Sequence, residues 1–281
     1  MADKKKVNTK PKTGKKSSEL NEKFKKGSNI IKRILRQETE YDFHTKEAFN
    51  LTRTNLMLSF AGTNSSKVVG ITSSIKGEGK SFVACSLGHA LAETDKTAIL
   101  IDCDLRLPTV ASKLDVSKRP GLSNILTGSV NDITEAIVYE AFGGLDIIPA
   151  GDIPPNPSEL LGSPRFEQML KLLGEKYDYV LLDLPPVTAV TDAIIVSKVI
   201  DGIILVVRHE YTDKNAVKEA IRQLNIADAK ILGFVYNGMY VGNSKYGRYG
   251  KYGKYGKYGK YKGYYGYGYG YEQQKTTTDN K

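Results

Sequence analysis

The sequence predicts an α/β protein built on a doubly wound, mostly parallel sheet of the phosphate-loop type, and three observations carry that expectation. Short β-branched apolar runs recur along the chain, amphipathic stretches fall between them, and a Gly/Lys loop follows the first run directly. Runs without polar alternation are the pattern of strands covered on both faces. Strands are expected at KVVGIT (Lys67–Thr72), TAILID (Thr97–Asp102), LDIIPA (Leu145–Ala150), YVLLD (Tyr179–Asp183), GIILVV (Gly202–Val207) and ILGFVY (Ile231–Tyr236). Helices are expected near Lys80–Glu93, Pro164–Tyr177, Asp192–Val199 and Asn215–Leu224. Another should begin near Thr45 and run through EAFNLTRTNLMLSF, serving either core packing or an oligomer contact.

Composition divides the chain. With 281 residues and 40% hydrophobic content there is material for one sizeable domain, expected over residues 41–240. Residues 1–40 carry 13 basic and 5 acidic side chains, and residues 241–281 carry 9 and 2. The ends are therefore +8 and +7, and the net +10 leaves residues 41–240 at −5. Basicity thus belongs to a flexible N-terminal arm and a flexible tail, and no nucleic-acid partner is expected. The two cysteines, Cys85 and Cys103, fall inside core elements and read as buried, reduced thiols of a cytosolic chain. The first 28 residues are Lys-rich and lack the apolar stretch of a signal peptide. The longest apolar stretch, Ala193–Val207, is broken by Lys198 and Asp201 and falls short of the roughly 20 residues that span a bilayer.

Chemistry begins where the first strand ends. Ser74-Ile75-Lys76-Gly77-Glu78-Gly79-Lys80-Ser81 has the spacing of a phosphate-binding loop, with Ser in place of the first Gly. Gly77 and Gly79 would let backbone N–H groups turn onto phosphate oxygens, Lys80 would supply a cation, and the Ser81 hydroxyl would ligate Mg²⁺. The nucleotide is expected against Ser74, Gly77, Glu78, Gly79, Lys80, Ser81 and Phe82. Two further strands end in acids, ILIDCDLRLP at Asp102 and Asp104 and VLLDLPP at Asp183. The carboxyl edge of a parallel sheet gathers such ends beside the loop. Asp102, Asp104 and Asp183 are therefore expected to surround one metal–phosphate centre with Ser81, although a lone acid there is commonly a turn former or helix cap.

The tail reads YGRYGKYGKYGKYGKYKGYYGYGYGY and displays Tyr246, Tyr249, Tyr252, Tyr255, Tyr258, Tyr261, Tyr264, Tyr265, Tyr267, Tyr269 and Tyr271 between Gly and Lys. Such a segment cannot build a core, so its phenols are expected as phosphate acceptors. About 30 residues of flexible chain have an r.m.s. span near 30 Å. A core of about 200 residues has a radius of gyration near 16 Å, which puts a neighbour's site within reach.

In combination, these segments resemble the bacterial tyrosine kinases of capsule and exopolysaccharide synthesis, the BY-kinase family, over roughly Lys46 to Tyr271. SIKGEGKS resembles the family's Walker A motif, ILIDCDLR its Walker A′, VLLDLPP its Walker B, and the tail its tyrosine cluster; PPNPSELL (Pro154–Leu161) is also similar to the family. The resemblance implies ATP as cosubstrate, Mg²⁺ as cofactor and autophosphorylation of the tail. It also implies a homo-oligomer, a cognate tyrosine phosphatase, and a cytoplasmic chain recruited to the inner face of the membrane by a separate membrane-bound modulator. By position, Lys80 would bind the β- and γ-phosphates, Asp102 would be the base and Asp183 would lie near the metal. Arg106 would stabilise transferring phosphate or subunit contacts, or form a structural ion pair, and Asn237 would read adenine. Two departures stand out: the oligomerisation motif Glu-x-x-Arg-x-x-Arg here reads Glu47-x-x-Asn50-x-x-Arg53, and Lys76 stands where Pro is frequent. A partition-type ATPase switch and a scaffold with an adhesive tail are the competing classes. The signature lysine of the former would stand at Ile75, and the three acids argue against the latter.

Overall fold

A computed structural model describes residues 43–63 and 65–239. The expected basic arm and tyrosine tail lie outside these described residues. Seven strands form one sheet in the order β3-β4-β2-β5-β1-β6-β7. They are β1 (Lys67–Ser73), β2 (Ala98–Asp102), β3 (Val138–Phe142), β4 (Leu145–Ile148), β5 (Tyr179–Asp183), β6 (Gly202–Arg208) and β7 (Ile231–Asn237). All neighbours pair in parallel except β3 and β4, so the doubly wound, mostly parallel sheet is present.

The helices are α1 (Phe43–Ser59), α2 (Lys80–Ala92), α3 (Val110–Leu114), α4 (Leu122–Thr127), α5 (Pro157–Leu161), α6 (Pro164–Gly174), α7 (Asp192–Val196) and α8 (Lys214–Ile226). Alternate residues of each central strand feed two cores. Ile99, Ile101, Val180, Leu182, Ile203 and Leu205 meet the α4 to α8 side, against Phe166, Leu170, Val196 and Leu224. Leu100, Leu181, Ile204 and Val206 meet α1 and α2 through Leu56, Val83 and Leu87. The period of two thus explains why uninterrupted apolar runs form these strands.

Strand β3 escapes sequence reading for a physical reason. It is an edge strand whose residues are half-buried or exposed, it turns antiparallel to β4, and its register shifts between Val138 and Phe142. Glu140, at φ 49°, takes the left-handed conformation within it. Among other differences, α6 ends at Gly174, before the expected Tyr177, and the segment Asp192–Val199 splits into α7 and a 3₁₀ turn at Ser197–Val199.

Helix α1 serves the core through Phe49 and Leu56. Within its Glu47/Asn50/Arg53 motif, Asn50 Nδ2 donates to Glu47 Oε1 at 3.1 Å, and Arg53 Nη1 donates to the carbonyl of Ala90 at 2.7 Å. Arg53 thereby places a cation on the last turn of α2, where carbonyls lack helical partners. Arg53→Ala should cost about 1–2 kcal/mol and lower the thermal midpoint by roughly 2–4 °C per kcal/mol, as calorimetry would measure.

Candidate active site

The carboxyl edge of β1, β2 and β5 assembles the site. Parallel register sets Asp102 directly beside Asp183 on neighbouring strands, and Ile71 of β1 beside Asp183. After β1 the chain turns through Ser74–Gly79 into α2. Gly77 and Gly79 have φ of 92° and 95°, which glycine alone adopts without strain. Gly79 is the N-cap of α2 and offers no side chain, so the first N–H groups of a 13-residue helix are left for an anion.

Lys80 Nζ donates to Asp104 Oδ2 at 2.9 Å and to Asp183 Oδ1 at 3.4 Å. Burial works against its charge, but Asp183 and Asp104 outweigh burial and hold the ammonium more firmly protonated than a free lysine. Ser81 is buried and its hydroxyl accepts from Thr109 Oγ1 at 3.1 Å. Asp183 is wholly buried and its Oδ2 has no hydrogen-bond partner among the described residues, nor has Ser74 Oγ. No cluster of three or more His, Cys, Asp or Glu side chains among the described residues is arranged to hold a metal. Of the three expected acids, Lys80 bridges two, tying Asp104 to Asp183.

Asp102 is sealed in. Its Oδ1 accepts from the Asp104 N–H at 3.2 Å, and its Oδ2 accepts from the N–H groups of Thr109 and Val110, each at 3.1 Å. It therefore caps α3, the structural use open to any strand-end acid. Burial first, and then the Asp183 charge, push its carboxyl up to about 7. Asp104 is closer to the surface, and its Oδ1 accepts from the Leu107 N–H at 3.0 Å.

Other expected residues take different places. The Glu78 carboxylate is buried beneath the loop, accepting from the Ile75 N–H at 2.7 Å and from the Thr212 hydroxyl. Phe82 lies edge-on to Phe49 of α1, at 5.8 Å between centroids, within the core. Each of these two residues can meet a nucleotide only through its backbone. Asn237 Nδ2 donates to the carbonyl of Glu78 at 2.8 Å. Arg106 forms the ion pair that was one of its two readings: its Nε and Nη2 reach Asp192 at 3.0 and 3.2 Å, and Nη2 reaches Ser158 Oγ at 2.9 Å. Ser158 lies in the PPNPSELL segment, which thereby anchors the turn after Asp104. Cys85 and Cys103 are buried free thiols, Cys85 pushed up by burial to about 12 and Cys103 well above its ordinary value by the same cause.

Sequence reasoning missed Arg208, Tyr211 and Thr212, which all touch the loop from about 130 positions downstream. Their only sequence signal is position, at or just past the end of β6, the strand that neighbours β1.

A glycine-lysine loop entering a helix at the head of a parallel sheet, with acids ending two adjoining strands, defines a P-loop nucleotide-binding protein. Residues 66–231 match the model of the family described as the AAA domain. The tyrosine-protein kinase CpsD of Streptococcus agalactiae serotype III (strain NEM316) is 36% identical over 204 residues, covering 72% of this chain and 86% of CpsD. The tyrosine-protein kinase Wzc of Salmonella typhi is 34% identical over 196 residues; the match covers 69% of this chain but only 27% of Wzc. Among solved structures, the kinase domain of the Escherichia coli tyrosine kinase ETK aligns with a TM-score of 0.66 at 34% identity, covering 69% of this chain and 75% of that one. The chain belongs to the bacterial tyrosine-protein kinases.

Proposed function

We propose that this kinase transfers the γ-phosphoryl group of ATP to tyrosines 246–271 of a neighbouring copy of the chain, and with a membrane-bound modulator governs the synthesis, chain length and export of a capsular or exopolysaccharide. The observation that supports the chemistry is the charge at the foot of the loop. Three buried or nearly buried carboxylates face one ammonium, and Asp183 Oδ2 lacks a partner. Such a site is short of positive charge, which a divalent cation would supply. Ser81 and Asp183 would hold Mg²⁺, with Asp102 and Asp104 behind them. Bound there, Mg²⁺ supplies charge that neutralises the transferring phosphoryl oxygens.

The loop N–H groups and Lys80 hold the triphosphate. As Lys80 turns towards phosphate it releases Asp104, whose carboxylate then accepts the phenolic proton while the tyrosine oxygen bonds to phosphorus and the bond to the ADP oxygen breaks. A phenol of pKa about 10 needs such a partner at neutral pH. The geometry favours Asp104 over Asp102 as base, because both Asp102 oxygens already accept from backbone donors and the residue has no exposure.

Transfer between copies follows from the reach expected of a tail of about 30 residues. A cytoplasmic location, recruitment to the membrane by the modulator, and resetting by a cognate phosphatase complete the reading. No helix of the described residues is long and apolar enough to cross a membrane. Mixing an active chain that lacks residues 241–281 with a Lys80→Met full chain, plus ATP and Mg²⁺, should label the tail of the latter. Unlabelled tails, with association of the two chains verified, would contradict transfer between copies.

A further inference from the structure

Three consecutive carbonyls of the phosphate loop are each capped by a different side chain from outside the loop. Tyr211 Oη donates to the Lys76 carbonyl at 3.0 Å, Arg208 Nη1 to the Gly77 carbonyl at 2.9 Å, and Asn237 Nδ2 to the Glu78 carbonyl at 2.8 Å. A trans peptide is planar and points its C=O and the following N–H in opposite directions. Fixing the carbonyls of 76, 77 and 78 outward therefore fixes the N–H groups of Gly77, Glu78 and Gly79 on the other side, where an anion would lie.

We infer that Tyr211, Arg208 and Asn237 are positioning residues of the nucleotide site, holding three consecutive loop N–H groups aimed at phosphate before it arrives. The inference rests on the nucleotide reading above and deepens it.

The three donors are themselves braced. The Arg208 guanidinium lies over the Tyr211 ring, 5.0 Å from its centroid. The Thr212 hydroxyl accepts from the Arg208 N–H at 3.0 Å and donates to the buried Glu78 carboxylate, which also holds the Ile75 N–H. Arg208 and Asn237 are register partners on β6 and β7, and the His209 N–H donates to the Asn237 carbonyl at 2.8 Å. The ends of two strands thus form a hydrogen-bonded strap along one side of the loop. It lies close against the loop: a Cβ on Gly77 would stand 2.8 Å from Tyr211 Oη, and one on Gly79 would displace Asn237 Nδ2. A preorganised donor array binds charge more strongly because no reorientation is needed when the ligand arrives.

Binding of Mg²⁺-ATP and of Mg²⁺-tripolyphosphate, which has no base, should be measured on the full wild-type chain and on Tyr211→Phe and Asn237→Ala. Removing one neutral hydrogen bond should raise each Kd about two- to tenfold. The factor should be the same for both ligands, and the thermal midpoint of the unliganded protein should fall by only a few degrees, about 2–4 °C per kcal/mol lost. Amide hydrogen exchange at Gly77–Gly79 should accelerate in both variants. If wild type binds neither ligand, the nucleotide reading fails and this inference with it. If wild type binds and Tyr211→Phe binds equally well, positioning alone is overturned. Loss of ATP affinity without loss of tripolyphosphate affinity in Asn237→Ala would instead make that residue an adenine contact.

Discussion

Lys80→Met should cut phosphotyrosine formation by at least about 100-fold, the scale on which preorganised charges act on developing negative charge. From sequence the same change should leave the fold intact, because Lys80 is not a core group. The structure alters that part of the expectation. Lys80 holds two carboxylates, of which Asp183 is wholly buried and already lacks a partner at Oδ2. Removing one member of a buried ionic group typically costs about 3–5 kcal/mol. The variant should therefore unfold at a lower temperature than wild type at pH 8. The thermal midpoint at pH 8, measured beside a phosphotyrosine assay, separates the two effects. Equal midpoints at pH 8 would show that Asp104 and Asp183 do not depend on Lys80.

Stability without ligands should fall as pH rises from about 4 to about 7. The folded-state value of Asp102 lies near 7, above its ordinary 3.8, because burial and the neighbouring Asp183 oppose its charge. Between those limits the folded protein binds more protons than the unfolded chain, so unfolding becomes easier with rising pH. The penalty is absent below about pH 4 and fully present above pH 7. A shift of this size corresponds to a few kcal/mol, or roughly 5–10 °C in the midpoint of a domain of this length. The difference between wild type and Asp102→Asn isolates this group, since the amide keeps an oxygen for the Thr109 and Val110 donors but cannot ionise. Millimolar Mg²⁺ should flatten the wild-type slope by supplying the missing charge. A wild-type curve parallel to that of Asp102→Asn from pH 4 to 8 would refute this account of the site's electrostatics.

The central strands were legible because each is buried on both faces, which leaves an unbroken apolar run. Strand β3 was not, since VYEAF at a sheet edge has no such run and bends at Glu140. The phosphate loop and the acids at 102, 104 and 183 could be read because their spacing is local and strand ends converge. What each acid touches could not be read. Asp102 caps α3, Lys80 bridges Asp104 to Asp183, and Arg106 closes on Asp192 from 86 positions away. The contacts of Arg208, Tyr211 and Thr212 with the loop belong to the same class: the partners lie far apart in sequence and follow no spacing rule. Asn237, which the family resemblance sets at the nucleotide site, closes β7, and its amide is engaged with the loop's own backbone.

The central claim is that the loop, Lys80 and the strand-end acids together drive phosphoryl transfer to the tyrosine tail. Incubating the purified chain with ATP and Mg²⁺, with and without the cytoplasmic segment of a candidate modulator, and mapping modified residues by mass spectrometry tests it most directly. Phosphotyrosine should accumulate within residues 246–271, be absent in Lys80→Met and disappear when Mg²⁺ is chelated. ATP hydrolysis without phosphotyrosine under these conditions, or equal labelling in Lys80→Met, would contradict the account.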